Sequence, residues 1–202
     1  MPRSSAISHL CSCDPILAKV IKRIKLPEHK EKRIDHFRSL VSSIINQQLS
    51  GKAADTIEKR FRALFPAKRF PLPEDVLRIP TSRLRRSGLS EMKVKYIKNL
   101  AKEIASKKFN FKKLQCLENE EIIIEITKLK GIGRWTAEMF LMFSLNRPDV
   151  FSAGDFGLKK AIKNLYGLKD LPDEKIANRL AKKWIPYRTL ACRYLWASID
   201  SK

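Results

Sequence analysis

Apolar residues recur at steps of three and four along almost the whole chain, and this periodicity confines the fold to helices packed on helices. Ile16, Leu17, Val20, Ile21 and Ile24 form one stripe. Asp14-Pro15 opens it as N-cap and first helical residue, and Pro27 stops it. Phe37, Leu40, Val41, Ile44, Ile45 and Leu49 repeat the pattern. Ser50 is placed to cap a helix bearing Ala53, Ala54, Ile57, Phe61, Leu64 and Phe65, which ends at Pro66. After the connector Phe70-Pro71-Leu72-Pro73, Pro73 opens a short helix that ends before Pro80. Thr81 is read as the cap of the next, which stops near Gly88, and Ser90 as the cap of a longer one with Val94, Ile97, Leu100, Ala101 and Ile104. The run Ile122-Ile123-Ile124 favours strand locally, yet Ile122, Ile123, Ile126 and Leu129 share a helical face. Two more helices are expected at about 174–184 and 188–199. The sum is an all-α chain of about ten helices, without repeats or low-complexity tracts.

Charge narrows the partner. The 202 residues carry 42 Lys and Arg against 21 Asp and Glu, a formal net charge of +21. Self-repulsion of that size is relieved by an anionic partner, and nucleic acid fits. A membrane does not, because no segment approaches the roughly 18 apolar residues that span a bilayer. Cys11, Cys13, Cys116 and Cys192 form no C-x-x-C pair and no histidine cluster accompanies them, which argues against a zinc or iron–sulfur site. Cys11-Ser12-Cys13 reads as a loop with free thiols. No long apolar core follows Arg3, so no signal peptide is expected.

The segment Leu129-Lys130-Gly131-Ile132-Gly133-Arg134-Trp135-Thr136-Ala137 lies between two helical stretches. Its glycines permit a tight turn and a close approach of backbone to a ligand. Ile132 is placed to anchor the turn, and the helix that follows turns its positive end toward a phosphate. With Ile44-Ile45-Asn46-Gln47-Gln48-Leu49-Ser50, Asp149-Val150-Phe151, Gly154-Asp155 and Trp184-Ile185-Pro186-Tyr187-Arg188, it resembles the helix-hairpin-helix DNA glycosylase superfamily, and within it the alkylpurine branch of the DNA-3-methyladenine glycosylase II type. The resemblance runs from about Phe37 to Trp196.

That resemblance implies a two-lobed helical glycosylase fold in a single unit, 1–202. One lobe spans 37–148 and includes the helix-hairpin-helix at about 120–144; the other joins 1–36 to 149–202. Asp155 matches the family's catalytic carboxylate, 22 residues after Gly133 and just before a helix expected at Phe156–Tyr166. A carboxylate there suits an oxocarbenium-like sugar; the plainer alternative is an N-cap, and Asp149 is the second candidate. Trp135 stands where strand-cleaving relatives carry a nucleophilic lysine, which implies a monofunctional enzyme. Trp135, Trp196, Met139 and Tyr187 match base-pocket positions, with Trp184 a weaker one; Met139 replaces a tyrosine of some relatives. Gln47, Gln48 and Leu49 match the probe and wedge that enter the DNA stack. Gly131, Gly133, Arg134 and Thr136 match the phosphate grip. Lys93, Lys95, Lys98, Lys159 and Lys160 are further phosphate candidates. No cofactor or metal is implied beyond a structural monovalent cation at the hairpin. The implied partner is duplex DNA with damaged bases, met by an intracellular monomer. Glycosylases for other bases, and a non-catalytic DNA-binding protein, remain the alternatives.

Overall fold

The computed structural model describes residues 3–27, 35–49, 51–66 and 69–200, without the side chain of Asp200. Among them are thirteen α-helices and no strand. The first six are α1 (Arg3–Cys13), α2 (Pro15–Arg23), α3 (His36–Asn46), α4 (Gly51–Ala63), α5 (Pro73–Arg78) and α6 (Thr81–Arg86). The longest, α7 (Glu91–Ala105), is followed by α8 (Phe111–Leu114), α9 (Asn119–Thr127) and α10 (Arg134–Phe143). The chain closes with α11 (Phe156–Tyr166), α12 (Glu174–Ala181), a 3-10 turn at Lys182–Trp184 and α13 (Arg188–Asp200).

Local capping chemistry sets most of these boundaries. The Asp14 carboxylate accepts from the N–H groups of Ile16 and Leu17, both at 3.1 Å, and Pro15 follows as the first helical residue. Ser90 caps α7 through the Lys93 N–H. The triple isoleucine lies in α9, whose start is fastened by the Glu118 N–H donating to the Glu121 carboxylate at 2.8 Å. Four expectations change. Cys11-Ser12-Cys13 is the last turn of α1, not a loop, because Ala6 and Leu10, one turn apart, are buried and give the segment a side that packs on α2. Thr81 is the first residue of α6; Pro80 holds the cap position, and its carbonyl accepts the N–H groups of Arg83 and Leu84. The helix expected to reach 184 stops at Ala181, and the next three residues tighten into the 3-10 turn that delivers Trp184 to the interior. With α1 and the short α8, the helix count exceeds ten. Ser50 lies outside the described residues.

The chain divides into two compact units, one of residues 33–140 and the other of 1–32 with 141–202. In the first, α3, α4, α5 and α7 surround an aromatic centre in which Phe61 meets Phe65 and Phe70, and Phe37 meets Phe70. In the second, α11 packs on α13 and α13 on α2. That unit is tied at Asp14, which is fully buried. Besides capping α2, its carboxylate accepts from the Tyr166 hydroxyl, from the Trp184 indole N–H at 2.8 Å and from the Lys183 ammonium at 3.0 Å. Burial by itself would raise the Asp14 pKa. Hydrogen bonds from Tyr166, Trp184, the Leu17 N–H and Lys183 outweigh it and hold the carboxyl below its usual value. Burial and the adjoining carboxylate push the Tyr166 hydroxyl well above the ordinary phenol range, so it stays a donor.

Because the folded-state value is lowered, the stability Asp14 contributes is complete above about pH 4 and drains away as pH falls through that lowered value. Asp14→Ala removes the shared acceptor of Tyr166, Trp184 and Lys183 and is expected to cost about 3 kcal/mol or more. It should also flatten the acid limb of a plot of urea midpoint against pH. Equal acid sensitivity in both proteins would show that Asp14 is not the group responsible.

Candidate active site

In the unit of 33–140, α9 and α10 flank the turn Leu129–Gly133. Gly131 has φ +86°, and a Cβ there would meet the Tyr96 ring at 2.3 Å, so both conformation and space demand glycine. Gly133 differs: a Cβ would meet nothing within 4 Å, and the residue is exposed, which leaves backbone open to an approaching group. The Gly133 carbonyl accepts the Ala137 N–H and starts α10. Ile132 is buried beneath. The Leu129 carbonyl accepts from the Ile132 N–H at 3.1 Å and the Gly131 carbonyl from Gln47 Nε2 at 2.8 Å, the second bond tying the turn to the end of α3.

Gln47 also locates the expected probe. Helix α3 ends at Asn46, Gln48 follows at φ +56°, and Leu49 is exposed beyond the helix rather than part of it. The Lys93 ammonium donates to the carbonyls of Ile45 (2.8 Å) and Gln47 (2.9 Å), closing the end of α3 from below. Lys93 is thus an internal cap, and burial lowers its pKa. Lys98 likewise serves the carbonyls of Leu77 and Ile79, and Lys95 pairs with Glu91. Lys160 is exposed and Lys159 half-buried. Arg134, matched to a phosphate grip, is held by both oxygens of Glu120 (2.6 and 3.0 Å) and by Glu138 at 3.1 Å. Thr136, matched to the same grip, is only 3% exposed and offers no surface hydroxyl.

In the other unit, Asp155 is the N-cap of α11, which begins and ends where expected. Its Oδ1 accepts from the Leu158 N–H at 2.8 Å and from the Trp196 indole N–H at 2.9 Å, and the residue is 9% exposed. Trp196 is therefore more than an aromatic wall: it orients the carboxylate. Gly157 allows this. A Cβ on Gly157 would stand 3.1 Å from both Asp155 Oδ1 and Trp196 Cδ1, tighter than ordinary contact. Phe143, which sequence reasoning missed, lies 6.0 Å from the Trp196 ring and is itself exposed. Its signal was the step of four through Trp135, Met139 and Phe143 along α10. Trp135 is half-exposed and Met139 half-buried.

Other candidates go elsewhere. Asp149 forms a two-pronged pair with Arg188, at 2.7 and 2.9 Å, a structural clamp. Trp184 is fully buried against Phe151 and bound to Asp14, so it lines no pocket. Tyr187 stands edge-on to His9 and lines a separate recess. Among the described residues, no group of three metal-ligating side chains occurs, and no helix is long and apolar enough to cross a membrane.

Comparison with known proteins places this geometry. The family described as "HhH-GPD superfamily base excision DNA repair protein" matches residues 41–187. DNA-3-methyladenine glycosylase 1 of Schizosaccharomyces pombe is 32% identical over 191 residues, 93% of this chain and 84% of that protein. The structure of the Schizosaccharomyces pombe 3-methyladenine DNA glycosylase in complex with abasic DNA superposes with a TM-score of 0.86 at 31% identity, covering 97% of each chain. That of a DNA-3-methyladenine glycosidase from Bacillus halodurans gives 0.82 at 38% identity, covering 96% of this chain and 88% of the other.

The Gly157 contact has a direct test. Gly157→Ala should break the Trp196–Asp155 bond, seen as an upfield indole N–H resonance with faster hydrogen exchange. An unmoved resonance would mean the space at Gly157 is not what seats Trp196.

Proposed function

The chain belongs to the HhH-GPD superfamily of base excision DNA repair proteins, and on that premise we propose that it hydrolyses the N-glycosidic bond of alkylated purines of the 3-methyladenine and 7-methylguanine type in duplex DNA, leaving an abasic site. The observation that carries this reading is Asp155, held at the start of α11 by one backbone N–H and one indole N–H.

The chemistry asks little of the protein beyond placement. An N3- or N7-alkylated purine carries positive charge, so it departs readily and takes the bonding electron pair with it. The deoxyribose C1′ then becomes cationic, and the nearby Asp155 carboxylate stabilises that charge. Water adds to C1′ and its proton passes to solvent or to the carboxylate. The carboxylate acts mainly through its field, since a group seated at a helix N-terminus is a modest base. Trp196 and Leu158 fix its orientation before the substrate arrives, which removes reorganisation from the reaction step. Position 135 carries an indole, which cannot form a Schiff base with the sugar, so the reaction stops at the abasic site.

Selection of the lesion is assigned to aromatic faces. A cationic base stacked on an indole gains about 1–2 kcal/mol when desolvated, and Trp135 offers such a face. Met139, softer and more flexible than a tyrosine, changes which bases fit. Leu49, exposed past the end of α3, is the apolar wedge that fills the place of a flipped base. The protein acts as a monomer on the damaged duplex, and no cofactor takes part.

The test uses duplex DNA methylated to carry labelled 3-methyladenine and 7-methylguanine. The wild type should release free base, and Asp155→Asn should do so about a hundredfold more slowly or less. Neither should yield a borohydride-trapped protein–DNA adduct. Equal release by both proteins would remove Asp155 from the mechanism, and a trapped adduct would exclude simple hydrolysis.

A further inference from the structure

A recess of about 470 Å³ lies in the unit of 1–32 with 141–202. Its walls include Arg3 from α1, Phe143 from the end of α10, Arg147 from the following loop, Tyr187 just before α13 and Arg193 within it. Phe143 is shared with the neighbourhood of Asp155, since its ring lies 6.0 Å from that of Trp196, the indole bonded to Asp155. Three guanidinium-bearing residues around an aromatic-walled cavity do not suit a cationic purine and favour a group of the opposite charge.

Among the described residues, the lining carries arginines and no carboxylate. Arg3 donates one N–H to the Leu26 carbonyl at 2.8 Å, and Arg193 donates one to the Pro27 carbonyl at 3.1 Å. Each guanidinium has five N–H donors. Among the described residues neither is paired with a carboxylate in an ion pair. Burial and the adjacent Arg3 both lower the Arg193 pKa, so two like charges are pressed together. Such an arrangement is costly unless an anion completes it, and a planar guanidinium fork matches the oxygens of a phosphate.

We propose that Arg3 and Arg193, with the walls of Phe143 and Tyr187, form a binding site for a phosphate oxyanion, one aromatic residue away from the Asp155–Trp196 pair. The phosphate belongs either to the DNA strand held at the active site or to a free phosphate species. The proposal concerns binding alone and stands or falls independently of which base the protein releases.

Two measurements on the full chain test it. The first is thermal unfolding with inorganic phosphate against sodium chloride at matched ionic strength. A tenfold excess of phosphate over half-saturation should raise Tm by about 4 °C. The rise should vanish in Arg3→Gln/Arg193→Gln, survive in the exposed-surface control Lys113→Gln, and partly return in Arg3→Lys/Arg193→Lys. The lysine pair also guards against a fold lost with the glutamines. The second is the slope of log K against log salt for undamaged duplex DNA. A slope reduced by about one for each guanidinium removed assigns the site to the DNA strand. An unchanged slope beside a lost phosphate shift assigns it to free phosphate. A phosphate shift that persists in the glutamine pair, or no shift in the wild type together with an unchanged slope, overturns the proposal.

Discussion

A single buried carboxylate organises the unit that carries Asp155 and Trp196. Asp14 is bonded at once to the start of α2, to Tyr166 at the end of α11, and to Lys183 and Trp184 just ahead of α13. A charge removed from water is tolerable only when its hydrogen-bonding capacity is filled, and here five donors fill it. The consequence reaches beyond the donors. Helix α11 starts at Asp155 and ends at Tyr166, and α13, which carries Trp196, follows directly from Trp184. Clamping one end of each helix at Asp14 leaves the other stretch of each, with Asp155 and Trp196, in a fixed mutual setting.

What the sequence disclosed follows from the range of the forces involved. Caps and apolar stripes act within one or two turns, so the helix Phe156–Tyr166, the Asp14-Pro15 start and the Ser90 cap were legible, whereas Asp155 was singled out by the family resemblance. Bonds between residues far apart were not. Nothing local reveals that the Trp196 indole reaches Asp155, 41 positions away, or that Asp149 and Arg188 close on each other across 39. The glycines illustrate the same divide. Gly131 was read as a turn residue, but only packing shows that Tyr96 fills the place of its Cβ, and Gly157 carried no signal at all. Cys11–Cys13 was misread because Ala6 and Leu10 are a thin apolar stripe, made sufficient by the helix beside it.

Gross charge was a true guide to the kind of partner and a poor guide to the residues that meet it. Lys93 and Lys98 spend their ammonium groups on helix-end and loop carbonyls, where they complete backbone hydrogen bonding. Arg134 sits between Glu120 and Glu138, so a phosphate arriving there has to compete with two carboxylates already in place. The excess of positive charge is thus partly internal scaffolding. A count of lysines and arginines cannot separate that share from the rest, because the distinction is made by distance to a carbonyl or carboxylate and not by composition.

The division of the chain has a consequence for the order of assembly. The unit of 33–140 is continuous in sequence, whereas its companion is assembled from 1–32 and 141–202. Asp14 must wait for Tyr166 and Trp184, 152 and 170 residues downstream. During synthesis from the N-terminus, α1 and α2 therefore leave the ribosome with only the local cap partners of their buried acid, and the central unit can complete its own contacts first. The Asp155 carboxylate receives its Trp196 bond only after the last helix has docked, so the newly made chain completes one half well before it fixes that pair in the other.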